Sequence, residues 1–177
     1  MIESFINNGK RITIHQDEDA ESSREFDNLG TMVCFHKRYS LGDKDHGFSP
    51  RDFGSWGEVL NAIQAEKGPC VVLPIYMYDH SGISVSTTRD YPFNCPWDAG
   101  QVGFIFVAHD RLRREMGYRN MTKKRLAEAA ELLRCEVETY NLFLTGQVFG
   151  YEIEGGDSCW GFYGIEHARQ EAKAAAA

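Results

Sequence analysis

Histidine, cysteine and carboxylate side chains crowd into four short stretches of this chain. The first is Asp27 to His46, DNLGTMVCFHKRYSLGDKDH. The second is Tyr78-Asp79-His80-Ser81-Gly82, the third Cys95-Pro96-Trp97-Asp98-Ala99-Gly100-Gln101, and the fourth runs from Asp157 to Gly164, DSCWGFYG. Residues of these types supply general acids and bases, thiolate nucleophiles and metal ligands. The expectation is that the four stretches meet in space.

Three chemistries can be weighed. Cys34 and His36 stand two apart on an expected strand, so they share a face. His46, Asp79, His80, Cys95, Asp98 and Cys159 could join them from loops around a metal. A tetrahedral zinc site needs about four such ligands, and no second closely spaced pair and no CxxC motif anchors one, so no metal is assigned. Cys34, Cys95 or Cys159 could act as a nucleophile with His36 or His80 as base, but no local pattern marks any of them. No catalytic residue and no cofactor is assigned. Gly155-Gly156, Gly161 and Gly164 form neither GxGxxG nor a P-loop; turns account for them. What remains is a polar loop cluster of Asp27, His36, Arg38, Asp43, Asp79, His80 and Asp98. Its carboxylates can equally satisfy turn N–H groups, with Trp97, Trp160, Phe162 and Tyr163 closing the end of a core.

The elements that must position these residues belong to a chain of 177 residues, 42% hydrophobic and 25% charged. One domain spanning residues 1–177 is the expectation. No apolar run approaches the roughly 18 residues of a membrane span. The first fifteen residues lack the basic start and apolar middle of a secretory leader. The five cysteines are odd in number and scattered, which fits reduced thiols; a cytoplasmic location is the expectation. Cys70 and Cys135 fall in apolar patterns and are expected to be buried.

The net charge of −7 is unevenly spread. Residues 15–27 carry six acids against one arginine, and residues 128–157 seven acids against Arg134. Between them, Arg111, Arg113, Arg114, Arg119, Lys123, Lys124 and Arg125 face only Asp110 and Glu115. Cations at the start of a helix oppose its dipole, so a phosphate backbone or an acidic protein surface is a reason for them to be there. A solvated face is the plainer alternative.

Residues 10–15 alternate as a half-buried strand. A helical turn is expected near Ser22–Phe26, and a second strand over Thr31–His36. A long loop covers 40–54. Ser55 and Glu58 make a capping-box pattern at the start of a helix over 55–67, with Trp56, Val59, Leu60 and Ile63 as its stripe. Cys70–Tyr78 is nearly all apolar and reads as a central strand, with a bulge or an edge-facing N–H expected at Pro74. A turn leads to Ile83–Thr87 in a hairpin, then a loop over 88–100, then the strand Gln101–Ala108 beside 70–78. A short basic helix over Asp110–Met116 precedes the longest one, Lys123–Thr145, capped by Thr122. A strand over Gln147–Glu154, a Gly-rich loop and a terminal helix over 165–177, frayed at its Ala-rich end, complete the chain. The fold class is α+β: a mixed or mostly antiparallel sheet, one long helix and two or three shorter ones.

Over DNLGTMVCFHKRYSLGD, YMYDHSGISVSTT, CPWDAGQVGFIFV, and EVETYNLFLTG with DSCWGFYG, the chain resembles a family of small proteins encoded by phages and other mobile elements. The resemblance covers most of residues 12–164 and carries over no catalytic residue. Some small proteins of this kind resemble anti-CRISPR proteins that inhibit Cas9-type nucleases. The resemblance therefore implies an inhibitor of a host nucleic-acid defence nuclease that works by binding. In that reading the acidic segments mimic phosphates and the basic segment grips nucleic acid or an acidic partner surface. The alternatives are a metal- or thiol-dependent enzyme built on the Cys/His/Asp loop cluster, and a nucleic-acid-binding accessory protein whose affinity the overall acidity keeps weak.

Overall fold

A computed structural model describes residues 1–177. In chain order the elements are β1 (Glu3–Asn7), β2 (Lys10–Gln16), β3 (Thr31–Cys34), α1 (Trp56–Lys67), β4 (Cys70–Asp79), β5 (Ile83–Ser86), β6 (Ala99–Ala108), α2 (His109–Met116), α3 (Lys123–Leu144), β7 (Val148–Ile153), β8 (Ser158–Tyr163) and α4 (Ile165–Ala175). Two single 3-10 turns, Ser23–Glu25 and Pro50–Asp52, are added to these. The α+β class holds, with one long helix and three shorter ones. The strands form two antiparallel sheets of four rather than one, ordered β1-β2-β7-β8 and β3-β6-β4-β5. The chain divides into two compact units. The first is Met1–Ser23 with Thr139–Ala177, and the second is Arg24–Glu138. No helix is long and apolar enough to cross a membrane.

In the first unit, the turn between β1 and β2 is Asn8-Gly9, at φ 49° and 76°. Positive φ at both central residues is what a two-residue type I′ hairpin turn requires, and Asn-Gly is its preferred pair. Alternation in β2 sends Ile12 and Ile14 inward, where both are fully buried. Phe149, Tyr151 and Ile153 of β7 join them, and Ala168, Ala172 and Ala176 close this core from the terminal helix and the residue after it. Small alanines let a helix lie close on a sheet. In the Ala-rich end Ala172 and Ala176 are buried, while Ala174, Ala175 and Ala177 are exposed. Arg169 of α4 also holds Glu3 of β1 by a two-pronged ion pair.

In the second unit, β6 and β4 occupy the middle of the sheet, which is why both are near-continuous apolar runs. The pairing register shifts between Ile75 and Tyr76, one residue past Pro74, where a residue without an N–H weakens the ladder. Helix α1 starts where Ser55 Oγ accepts the Glu58 N–H at 3.3 Å, while the Glu58 carboxylate reaches back to the Gly54 N–H at 2.7 Å. Its buried Val59 and Ile63 pack with Val33, Phe104 and Phe106. Helix α2 buries Leu112 and ends at Gly117 in the left-handed region. Thr122 Oγ1 accepts the Arg125 N–H at the start of α3, whose Ala129, Leu133 and Val137 are buried.

Further expectations are corrected. β3 ends at Cys34, so His36 lies beyond the strand. β1 and β8 are strands that were not expected, and β8 takes up the segment read as a Gly-rich loop with its aromatic stretch. Cys135 is exposed on α3, two residues from both Leu133 and Val137 and so opposite the buried stripe, while Cys70 is half-buried.

Candidate functional site

The loop carrying His36, Arg38 and Asp43 is tied down by a side chain that sequence reasoning passed over. The Arg24 guanidinium donates from Nε and Nη2 to the two Asp43 oxygens at 2.7 and 3.0 Å. Its Nη1 donates to Glu136 Oε2 at 2.9 Å and its Nη2 to the Gly30 carbonyl at 2.8 Å. The two carboxylates are themselves satisfied: Asp43 accepts the Met32 N–H at 2.8 Å, and Glu136 accepts those of Leu29 and Gly30 at 2.7 and 3.1 Å. The Arg24 side chain is only 3% exposed. A buried charge survives only when paired and hydrogen-bonded. Burial opposes its protonated form, yet Asp43 and Glu136 outweigh this and hold its pKa above the usual value. Asp43 thus leaves the polar cluster for a structural hub. The available signal was Arg24 itself, the one base among the six acids of residues 15–27.

Beyond β3 the chain turns around His36. Its Nδ1 accepts the backbone N–H groups of Arg38 and Tyr39, both at 3.3 Å, and its ring stacks on Tyr39 with centroids 5.0 Å apart. The Tyr39 hydroxyl donates to Asp79 at 3.2 Å. Arg38 lies over the Tyr39 ring at 5.1 Å and pairs with Asp79 at 3.4 Å. The Asp79 N–H bonds the Asp98 carbonyl at 2.8 Å. The Asp98 carboxylate stands 3.6 Å from His80 Nδ1 and accepts from the Cys95 thiol at 3.8 Å. Five of the seven cluster residues, His36, Arg38, Asp79, His80 and Asp98, are therefore brought together where the β4–β5 hairpin meets the start of β6. An open pocket of about 440 Å³ lies among His36, Arg38, Asp79, Asp98, Gln101 and Trp97, and Trp97 is 90% exposed. Asp27 goes elsewhere, 3.7 Å from Arg111.

The chemistry this arrangement offers is polar recognition. Burial, with the Asp43 charge adding to it and Arg24 opposing, pushes the Cys34 thiol up to about 12, so it is no thiolate near neutrality. Cys34, Cys95 and Cys159 each lack a histidine partner: Cys95 meets the Asp98 carboxylate, and Cys159, exposed, reaches only the Trp160 carbonyl at 4.0 Å. No three His, Cys, Asp or Glu side chains converge as a metal-ligand group. An imidazole whose Nδ1 accepts two N–H groups carries its proton on Nε2, which leaves His36 no lone pair for a metal in that state.

The basic segment forms the α2–α3 corner, and the structure divides it. Arg111 donates to the Asn28 carbonyl at 2.7 Å, Arg113 pairs with Asp110 at 2.6 Å, and Arg125 caps the Asn120 carbonyl at 2.9 Å while lying over Tyr118 at 4.8 Å. Lys124 is 3.9 Å from Glu128. Arg114, Arg119 and Lys123 are exposed and have no ion pair within the chain.

The fourth stretch, 157–164, belongs to the first unit, where it supplies β8. There the Gly161 N–H donates to Asp17 Oδ2 at 3.1 Å, and the Tyr163 hydroxyl to the Glu21 carbonyl at 2.7 Å. No family model matches the chain, and neither a curated protein nor a solved structure matches it.

Proposed function

We propose that this protein acts by binding, as an inhibitor of a host nucleic-acid defence nuclease of the Cas9 type. The observation that carries the binding part is the α2–α3 corner, where Arg114, Arg119 and Lys123 present unpaired charge from an otherwise acidic protein. Charge placed this way steers association and fixes the orientation of a partner. The nuclease class rests on the resemblance of the five quoted strings to small phage and mobile-element proteins. The test is a cleavage assay with purified Cas9–guide complexes from several sources over a titration of this protein. Inhibition that depends on Arg119 and Lys123 supports the proposal; full cleavage in every case at saturating protein overturns it.

A further inference from the structure

A second pocket, of about 600 Å³, lies within the loop that follows β3, among His36, Lys37, Arg38, Lys44 and His46. Its two histidines share one arrangement. His36 Nδ1 accepts the N–H groups of Arg38 and Tyr39, and His46 Nδ1 accepts the Phe48 N–H at 3.0 Å. Backbone N–H groups can only donate, so each neutral ring holds its proton on Nε2 and offers a ligand a donor there. Both rings are braced. His36 stacks on Tyr39, and His46 is edge-on to Phe35 at 5.8 Å and stacked against Phe48 at 6.2 Å. Lys37 is exposed and has no ion pair, and Arg38, pairing with Asp79 through Nη1 alone, keeps its other N–H groups. Of the remaining charges at the pocket, Asp43 is spent on Arg24 and Lys44 on Glu25 at 2.7 Å.

The free cationic and imidazole groups here are therefore donors on four different side chains, with the Ser40 hydroxyl beside them. A planar carboxylate is matched by a single bidentate fork; four separate donors suit a group with acceptors on several sides. We infer that this pocket binds the phosphate group of a nucleotide, held by His36, Lys37, Arg38 and His46, with the base on Trp97. The base enters the inference because the neighbouring pocket shares His36 and Arg38 and is bordered by Trp97, whose 90% exposure leaves it open to stacking. The nucleotide comes either free or as part of a single strand. This site uses none of the α2–α3 corner residues and stands or falls apart from the inhibitor proposal.

The experiment follows the histidine side-chain nitrogens of the ¹⁵N-labelled full chain by long-range ¹H–¹⁵N NMR. The titrants are pyrophosphate, adenosine monophosphate and a short oligothymidylate. In the free protein His36 and His46 are expected as Nε2–H tautomers. Pyrophosphate is expected to shift both Nε2 signals, and the Lys37→Ala/Arg38→Ala double variant to weaken this at least about tenfold with unchanged tautomers and circular dichroism. Adenosine monophosphate is expected in addition to quench a tryptophan fluorescence component that is missing in Trp97→Leu. Tighter, strongly salt-dependent binding of the oligothymidylate identifies a strand as the source; equal or weaker binding identifies the free nucleotide. Silence of both histidines toward all three titrants, Nδ1–H tautomers, or shifts that survive the double variant would overturn the site. Histidine shifts without quenching of Trp97 would overturn the nucleotide assignment.

Discussion

Arg24 Nη1 and Glu136 Oε2 stand 2.9 Å apart, joining the 3-10 turn that opens the second unit to the long helix 112 residues later. Because the guanidinium is almost wholly buried, loss of one partner does more than remove a bond: it strands the others. Arg24→Ala leaves Asp43 and Glu136 facing each other's vacated counterion, and a broken buried pair costs about 3–5 kcal/mol. Glu136→Gln keeps an acceptor for the Leu29 and Gly30 amides and costs less, about 1–3 kcal/mol. Urea denaturation checks both, with the order of the two variants as the deciding outcome.

Trp160 of β8 lies flat against Gly150 of β7. A Cβ at Gly150 would sit 2.1 Å from Trp160 Cε3, so Gly150→Ala must drive the indole off the sheet. Overpacking of this kind costs about 1–3 kcal/mol. The variant is expected to lose stability and to show red-shifted tryptophan emission, and Gly150→Ala with Trp160→Ala to regain part of the stability.

The thiols are expected to sort by exposure. Cys135 and Cys159 are exposed, whereas Cys34 is buried with its thiol pushed up to about 12. Alkylation of the native protein at pH 8, read by peptide mass spectrometry, should label Cys135 and Cys159 quickly and Cys34 only after unfolding. Rapid native labelling of Cys34 would contradict its place under the loop.

These cases show what was legible in the chain and what was not. Elements whose hydrophobic period runs long enough, β4, β6, α1 and α3, were readable, as was the Ser55–Glu58 cap, because local sequence alone decides them. β1 carried its own signal, Asn8-Gly9 between two short alternating runs, and it went unread because an edge strand buries only half of each alternate residue. β8 had no such signal: Gly161 and the polar Ser158 start read as loop, and only pairing with β7 makes them strand. The candidate site divides in the same way. Residue type located His36, Arg38, Asp79, His80 and Asp98, but Asp43 and Glu136 owe their roles to Arg24, 19 and 112 residues away. No periodicity encodes such a separation. Cys135 is exposed because a helix turns about 100° per residue, and two steps from both Leu133 and Val137 put it on the face opposite the buried stripe.

Stability is expected to depend on pH through His46. Burial lowers its pKa in the folded protein, with Asp43 and Asp45 opposing. The folded state therefore binds this proton less readily than the unfolded state. The resulting stability is complete above the unfolded value, about 6.5, and is lost as pH falls through the lower folded value. Protonation also removes the acceptor of the Phe48 N–H. Comparing urea midpoints at pH 7.5 and 5.5, His46→Gln should show a smaller drop than the parent chain; an equal drop would place the pH dependence elsewhere.

The α2–α3 corner separates binding from folding residue by residue. Lys123 and Lys124 occupy the first turn of α3, where the helix dipole disfavours cations. Reversing both to Glu sacrifices only the 3.9 Å pair of Lys124 with Glu128, and exposed substitutions stay within about 0.5 kcal/mol. The double reversal is expected to melt at an unchanged or slightly higher temperature. If the corner grips phosphates or an acidic surface, the same variant should bind its partner more weakly. Its salt dependence should also be shallower, by about one counterion for each phosphate no longer neutralised. Arg111→Ala is the contrast. It breaks the bond to the Asn28 carbonyl, so it should lower stability by about 1 kcal/mol while leaving the salt dependence in place. A Lys123/Lys124 reversal that melts normally and binds as before would make the corner a solvated face. One that unfolds would mean that these two lysines hold the start of α3 and are not its binding surface.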